Sequence, residues 1–224
     1  MGLRRVVLWD VDHTLIDTRG VGRDLSMAAF ERVTGRQMER QARIDGITEA
    51  VIFRETARLH GLDTDRGDFE RFAAALAEAH VRRAADLRER GHALPGAAAA
   101  LDALAAVDGV EQTVVSGNVR AVAEIKLAAF GLDRHIRWDL GAYGEDADER
   151  PELVRIALGR AGFTATDAVL VDDTPAGVEA GLVNGVRVVA VATGRSTAAE
   201  LAEAGADVVL ADLTDTEAVV SALS

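Results

Sequence analysis

A doubly wound, Rossmann-like parallel sheet in an α/β fold is predicted by three features of this sequence. Short apolar runs end in acidic or small polar residues, helical patterns separate them, and 49% of residues are hydrophobic but only 4% aromatic. Continuous runs such as Val-Val-Leu-Trp do not alternate apolar with polar, so they read as strands covered on both faces, the condition of a parallel sheet. With 224 residues the chain can bury a full core and still carry a substantial insertion.

The first strand is Arg5 to Trp9, running straight into Asp10. From about Asp24 to Arg90 the alternation stops, and only helical periodicity remains, as in Phe69, Phe72, Leu76, Ala79 and Leu87. Leu94-Pro95-Gly96 then marks a turn before a new helix. This divides the chain into a core domain, residues 1–15 and 95–224, and an inserted helical cap domain, residues 16–94. Further strands are expected at Glu111 to Val115, Ala168 to Val171, Val186 to Val191 and Asp207 to Leu210. Helices are expected at Ala97 to Val107, Val119 to Phe130, Pro151 to Ala161, Ala176 to Val183, Ala198 to Ala204 and Thr216 to Leu223.

The formal net charge is -12. Residues 16–94 hold 14 arginines and 14 acids, so the remainder carries the whole excess. Such a surface argues against nucleic acid and anionic membranes and leaves small ligands as the expected partners. There is no cysteine, which excludes disulfides and thiolate metal sites. No apolar run has the length of a membrane span, and the one after Arg5 is too short for a signal peptide, so a soluble cytoplasmic protein is expected. The oligomeric state is not encoded in any feature of the sequence.

Chemistry concentrates at three strand ends. Asp10-Val11-Asp12-His13-Thr14 follows the first strand, where open parallel sheets place their ligand crevice. Close carboxylates repel each other, and a hard cation such as magnesium resolves that cost. A calcium loop of the EF-hand type would need glycine and glutamate where the chain has Leu15 and Val21. Ser116-Gly117-Asn118 ends another strand; its simplest reading is a helix N-cap, its functional one a cradle for phosphoryl oxygens. Asp172-Asp173-Thr174-Pro175 ends a third, with proline at a helix start.

Taken in order, these motifs resemble those of the haloacid dehalogenase-like hydrolase superfamily, most closely phosphoglycolate-phosphatase-like enzymes with a helical cap after the first motif. The resemblance spans essentially the whole chain, and it implies a magnesium-dependent phosphatase acting on a small phosphorylated metabolite through an aspartyl-phosphate. Asp10 resembles the nucleophile and Asp12 the general acid and base, with Thr14 supporting their loop. Ser116, with the backbone of Gly117 and Asn118, resembles the phosphoryl-binding group. The metal would be held by Asp10, the backbone carbonyl of Asp12, Asp173 and Asp172.

The chain departs from the family pattern at several positions. Many relatives have Gly-Asp with a further aspartate four residues on, where this chain has Asp172-Asp173 and Gly177; the residue after Asp12 is usually glycine and is His13 here. The usual third-motif lysine is replaced by Arg150, followed by Pro151; Lys126, the chain's only lysine, competes for the cationic role. Arg150 is the preferred candidate, because a guanidinium can bridge phosphate and carboxylate. In the cap, Asp45-Gly46-Ile47-Thr48 resembles a turn that faces the site in relatives, though its simplest reading is a turn glycine with Thr48 as an N-cap. Arg43 and Arg54 are candidate contacts for an anionic or polar group on the substrate.

Other activities fit less well. A dehalogenase has no need of the acid Asp12, and a phosphonate hydrolase of this superfamily needs a cap lysine, which is absent. A phosphomutase keeps both aspartates and stands as the closest enzymatic alternative. A phospho-acceptor receiver domain has no use for a large helical cap, and a non-catalytic phospho-ligand-binding protein could dispense with the aspartate pair.

Overall fold

The computed structural model describes residues 4–44 and 46–224. Strand β1 (Arg5–Trp9) leads through a short strand β2 (Ile16–Asp17) into four helices: α1 (Val21–Thr34), α2 (Glu49–Leu59), α3 (Arg66–Arg82) and α4 (Ala84–Arg90). Strand β3 (His92–Ala93) pairs antiparallel with β2, Ile16 opposite Ala93 and Asp17 opposite His92. Entry to and exit from the helical insertion are thereby tied side by side. The chain continues as α5 (Ala97–Ala105), β4 (Val110–Val114), α6 (Arg120–Ala129), α7 (Arg150–Ala161), β5 (Ala168–Asp172), α8 (Pro175–Val183), β6 (Arg187–Val191), α9 (Ala198–Glu203), β7 (Val208–Leu210) and α10 (Thr216–Leu223).

The five long strands form one parallel sheet in the order β4-β1-β5-β6-β7. Numbered by occurrence in the sheet this is 2-1-3-4-5, a doubly wound order whose direction reverses at β1. Both faces are covered, which explains the unbroken apolar runs. Val7, Trp9, Val169 and Val171 pack against α5, α6 and α10, while Val6, Leu8 and Leu170 pack against α7 and α8. The helices of the insertion bury their own cluster around Phe30, Phe53, Phe69 and Phe72, with Phe53 and Phe72 stacked at 4.6 Å between centroids. Val119 and Val122, around the start of α6, join that cluster, so the insertion rests on the helix that follows Ser116-Gly117-Asn118.

Local signals set the helix ends that matter for the site. At α8 the Thr174 hydroxyl accepts from the Gly177 N–H at 3.0 Å and Pro175 occupies the first turn, so the helix starts directly behind Asp172 and Asp173. Pro151 plays the same part at the start of α7, which presents Arg150. Among the described residues no helix is long and apolar enough to cross a membrane.

Candidate active site

Register brings the three motifs to one level. Trp9 stands opposite both Val114 on β4 and Val171 on β5, so Asp10, Ser116 and Asp172 come together at the carboxyl ends of the strands, where the winding of the sheet reverses. The Asp10 N–H donates to the Val171 carbonyl at 2.9 Å, and the Val115 N–H donates to the Trp9 carbonyl at 2.9 Å, fixing the three strand ends to one another. They form the floor of a cavity of about 680 Å³.

Two carboxylates only two residues apart enter different environments. Asp10 joins Asp172 and Asp173, each offering one oxygen, all three oxygens lying within 4.8 Å of one another and all three residues buried. Arg150 Nη2 donates to Asp10 Oδ1 at 2.7 Å and also to Asp172 Oδ2. Burial pushes Asp10 up to about 7, with the Arg150 charge opposing and the Asp172 charge adding to the rise. Burial, followed by the charges of Asp172 and Asp10, pushes Asp173 up to about 9. Against burial, Asp172 and Asp10 hold the Arg150 guanidinium above its ordinary value. Its Nε, buried, has no partner among the described residues. Three buried carboxylates this close together are a hard-oxygen donor set suited to a divalent cation, and they fit a metal ion held by this chain.

Asp12 sits apart from that cluster. Lys126 Nζ donates to both of its oxygens, at 2.9 and 2.7 Å, and to Asn118 Oδ1 at 2.8 Å. Asn118 Nδ2 donates to Asp12 Oδ2 at 2.7 Å and to Ser116 Oγ at 2.9 Å. Burial would raise Asp12, but the Lys126 charge and the hydrogen bonds from Asn118 and Lys126 hold it below the ordinary carboxylate value. Arg150 and Lys126 are therefore not competitors for one place: one neutralises the acid cluster, the other holds Asp12.

The unusual positions find physical reasons here. A Cβ on Gly177 would lie 1.9 Å from the Asp172 carboxyl carbon, so the Asp172 carboxylate fills the space from which a side chain at 177 would grow. Any side chain at 177 would therefore displace the Asp172 carboxylate. The Thr174 N–H and hydroxyl hold Asp172 Oδ1 at 2.9 and 2.7 Å. A Cβ on Gly194 would come 1.7 Å from Asp173 Oδ2, and the Thr14 hydroxyl donates to Asp173 Oδ1 at 3.4 Å. His13 has φ 64°, the left-handed conformation in which glycine carries no penalty, which accounts for the glycine usual there.

Two simple readings give way. Ser116 and Asn118 do not cap a helix: α6 starts at Arg120 with Val119 as its N-cap residue, while the Asn118 side chain reaches Asp12 and the Ser116 hydroxyl accepts from Asn118. In the cap turn Asp45 lies outside the described residues, but Gly46 and Ile47 line the cavity. Thr48 occupies the N-cap position of α2 without capping it, its hydroxyl donating instead to the Asp148 carbonyl at 3.1 Å. Arg43 lines the cavity, whereas Arg54 pairs with Asp148 at 2.9 Å and is not among the lining residues. Glu49, the residue after Thr48 and not among the candidate residues of the sequence, also lines the cavity. Burial pushes Glu49 up to about 7, the Lys126 charge opposing and the Asp12 charge adding.

The description of haloacid dehalogenase-like hydrolases matches residues 7–191, a span that contains every motif above. The chain belongs to the haloacid dehalogenase-like hydrolase family. No curated protein matches it, but solved structures of this fold do. A HAD hydrolase of family IA, variant 3, from Entamoeba histolytica HM-1:IMSS is 14% identical, with TM-score 0.71 and 99% of each chain covered. A chain assigned as a beta-phosphoglucomutase from Bacteroides vulgatus is 21% identical, with TM-score 0.68, covering 99% of this chain and 91% of that one. A chain assigned as a phosphoglycolate phosphatase from Haemophilus somnus 129PT is 17% identical, with TM-score 0.64 and 97% of each covered. At these identities the likeness shows the family's fold, with its doubly wound sheet and helical insertion.

Proposed function

We propose that this hydrolase is a magnesium-dependent phosphatase that cleaves small phosphomonoesters through an aspartyl-phosphate on Asp10. The observation that carries the reading is the contrast between two carboxylates on one strand end: Asp10 among acids and Arg150, Asp12 held by Lys126 and Asn118. Without a divalent cation Asp10 holds a proton more tightly than Asp12; a cation among Asp10, Asp172 and Asp173 would reverse that order by favouring ionised Asp10, leaving Asp10 to attack and Asp12 to move protons.

In the first step an Asp10 oxygen attacks phosphorus, the P–O ester bond breaks, and protonated Asp12 gives its proton to the departing oxygen. Lys126 and Asn118 stabilise the carboxylate left behind; because they favour ionised Asp12 beforehand as well, its proton is taken up as the anionic phosphomonoester binds beside it. In the second step Asp12 takes a proton from water, which attacks phosphorus and frees phosphate and Asp10. Ser116 and the N–H groups of Gly117 and Asn118 would orient the phosphoryl oxygens, and Arg150 would keep Asp10 in line. Asp10, Asp172, Asp173 and the Asp12 carbonyl would hold magnesium, which when bound offsets the charge of the phosphoryl group. Residues 16–94 serve as the cap over residues 1–15 and 95–224, excluding water while the ester is cleaved.

A phosphate-release screen across small phosphomonoesters, with magnesium and with chelator, tests the reading. Release that needs magnesium and disappears in Asp10→Asn is expected; full activity in chelator would refute it. A phosphomutase would use the same aspartates, and the fold likeness to a chain assigned as a mutase keeps that reading open. An isomerised sugar phosphate in place of free phosphate would select it.

A further inference from the structure

The cavity wall contributed by the cap contains an acid that the proposed phosphoryl chemistry does not use. Glu49 is the first residue of α2, and its N–H donates to the Gly117 carbonyl at 2.8 Å. The first turn of this cap helix therefore sits on the loop that carries Ser116 and Asn118. The fit is close: a Cβ on Gly117 would lie 2.4 Å from the Ile47 carbonyl oxygen, and one on Gly144 would lie 3.0 Å from the Glu49 nitrogen. Two glycines let the backbones approach, so the position of Glu49 over the catalytic floor is fixed by main-chain contact.

The Glu49 side chain is half-buried and lines the cavity with Asp10, Asp12, Ser116 and Lys126. Among the described residues no hydrogen bond or ion pair reaches its carboxyl group, whereas Asp10, Asp12 and Asp172 are each tied to a cation. A carboxyl group withdrawn from bulk water without a partner costs free energy that a ligand donor can recover. The phosphoryl group itself belongs at Asp10, so the group left to meet Glu49 is the one the phosphate is attached to.

We infer that Glu49 reads the leaving group, accepting a hydrogen bond from a hydroxyl carried beside the ester oxygen, and that the substrates are phosphomonoesters of polyols or small sugars. A carboxylated leaving group would set a second negative charge against Glu49. Arg43 and Arg23, which also line the cavity, are exposed, so their attraction for such a group is weakened by water. An ammonium group would satisfy Glu49 but would meet Lys126 and Arg150 in the same cavity. A neutral hydroxyl donor avoids both conflicts, and about 680 Å³ is room for a small sugar phosphate.

The inference deepens the phosphatase reading and rests on it for its kinetic test. Values of kcat/KM are compared for glycerol 3-phosphate, phosphoglycolate and n-propyl phosphate in the unmodified protein, Glu49→Gln and Glu49→Ala. Glycerol 3-phosphate is expected to exceed propyl phosphate by about 10- to 100-fold, the size of one hydrogen bond to a charged group. Glu49→Ala should remove that preference, Glu49→Gln should keep part of it through its amide oxygen, and phosphoglycolate should gain in both variants. Equal rates for the polyol and alkyl esters in the unmodified protein, or an equal loss for all three esters in Glu49→Ala, would overturn it. Calorimetric binding of the same esters to Asp10→Asn, with and without Glu49→Ala, separates the two readings. If no ester is turned over, the phosphatase reading falls, while a binding preference lost with Glu49 still supports the inference and an unchanged preference defeats it.

Discussion

Replacing Arg150 by alanine should destabilise the protein most when no divalent cation is present, because it removes a buried cation from a buried acid cluster. The Arg150 side chain is 7% exposed and touches Asp10 and Asp172, whose side chains are 8% and 0% exposed. Breaking a buried ion pair by deleting one partner costs about 3–5 kcal/mol. At roughly 2–4 °C per kcal/mol for a chain of this size, the melting temperature in chelator should fall by about 6–20 °C. Magnesium at a hundredfold excess over its dissociation constant adds about 2.7 kcal/mol to whichever form binds it, so added magnesium should restore much of the loss. The pH dependence has a definite sign. Burial and mutual repulsion already raise Asp10 and Asp173 above the unfolded value, so their contribution is favourable at low pH and is lost as pH rises through about 7 and 9. Without the guanidinium those values rise further, and the deficit of Arg150→Ala should be larger at pH 8 than at pH 5.5. Thermal unfolding followed by circular dichroism, at both pH values and with chelator or magnesium, measures each term. Melting of Arg150→Ala within 2 °C of the unmodified protein in chelator at pH 8 would refute the reasoning.

Further outcomes follow from single residues. Gly177→Ala places a methyl group where the Asp172 carboxyl lies, so metal-dependent turnover should fall by about 100-fold or more, whereas Gly159→Ala in α7, with nothing within 4 Å, should add about 0.5–1 kcal/mol of stability in urea titrations. His80 is buried with Nδ1 2.9 Å from the Leu76 carbonyl and Nε2 without a partner among the described residues; burial and then the Lys126 charge depress it to about 4. Its stabilising contribution is complete above about pH 6.5 and is lost toward pH 4, a change of about 3 kcal/mol, so His80→Leu should flatten that acid slope in urea unfolding; an unchanged slope would contradict this. Asp12→Asn should cut turnover of an alkyl phosphate by on the order of 10²-fold and that of p-nitrophenyl phosphate by less, since a good leaving group needs little protonation; equal losses would argue against acid catalysis.

How far the fold could be read in advance depended on where burial alone sets the pattern. Arg5–Trp9 and Thr216–Leu223 coincide with their expected ranges, and β4 to β7 lie within a residue or so of theirs; for β1, β5 and β6 the reason is that strands covered on both faces are nearly unbroken apolar runs. The β2–β3 pair was not legible: two residues per strand leave no periodicity, and their pairing depends on bringing position 16 to position 93. The strand-end motifs were legible as chemistry, since acids after apolar runs are conspicuous. Arg150 and Lys126 stood out as candidate cations through the resemblance, but which acid each meets did not, because Lys126 meeting Asp12 spans 114 residues and Arg150 meeting Asp10 spans 140. The reason for Gly177 appears only in three dimensions, as the volume of the Asp172 carboxyl. Glu49 gave no signal at all, since a glutamate in the first turn of a helix is the commonest of dipole partners until its place over the cavity is known.

The central claim is that Asp10 takes the phosphoryl group. A single-turnover reaction with a hydrolysable phosphomonoester and magnesium, quenched in acid and followed by mass spectrometry of the peptide containing Asp10, tests it most directly. The account predicts one added phosphoryl group on that peptide, removed by hydroxylamine as an acyl phosphate is and absent from Asp10→Asn. Phosphate release by Asp10→Asn at the unmodified rate, or a phosphoryl group trapped on any other residue, would contradict it.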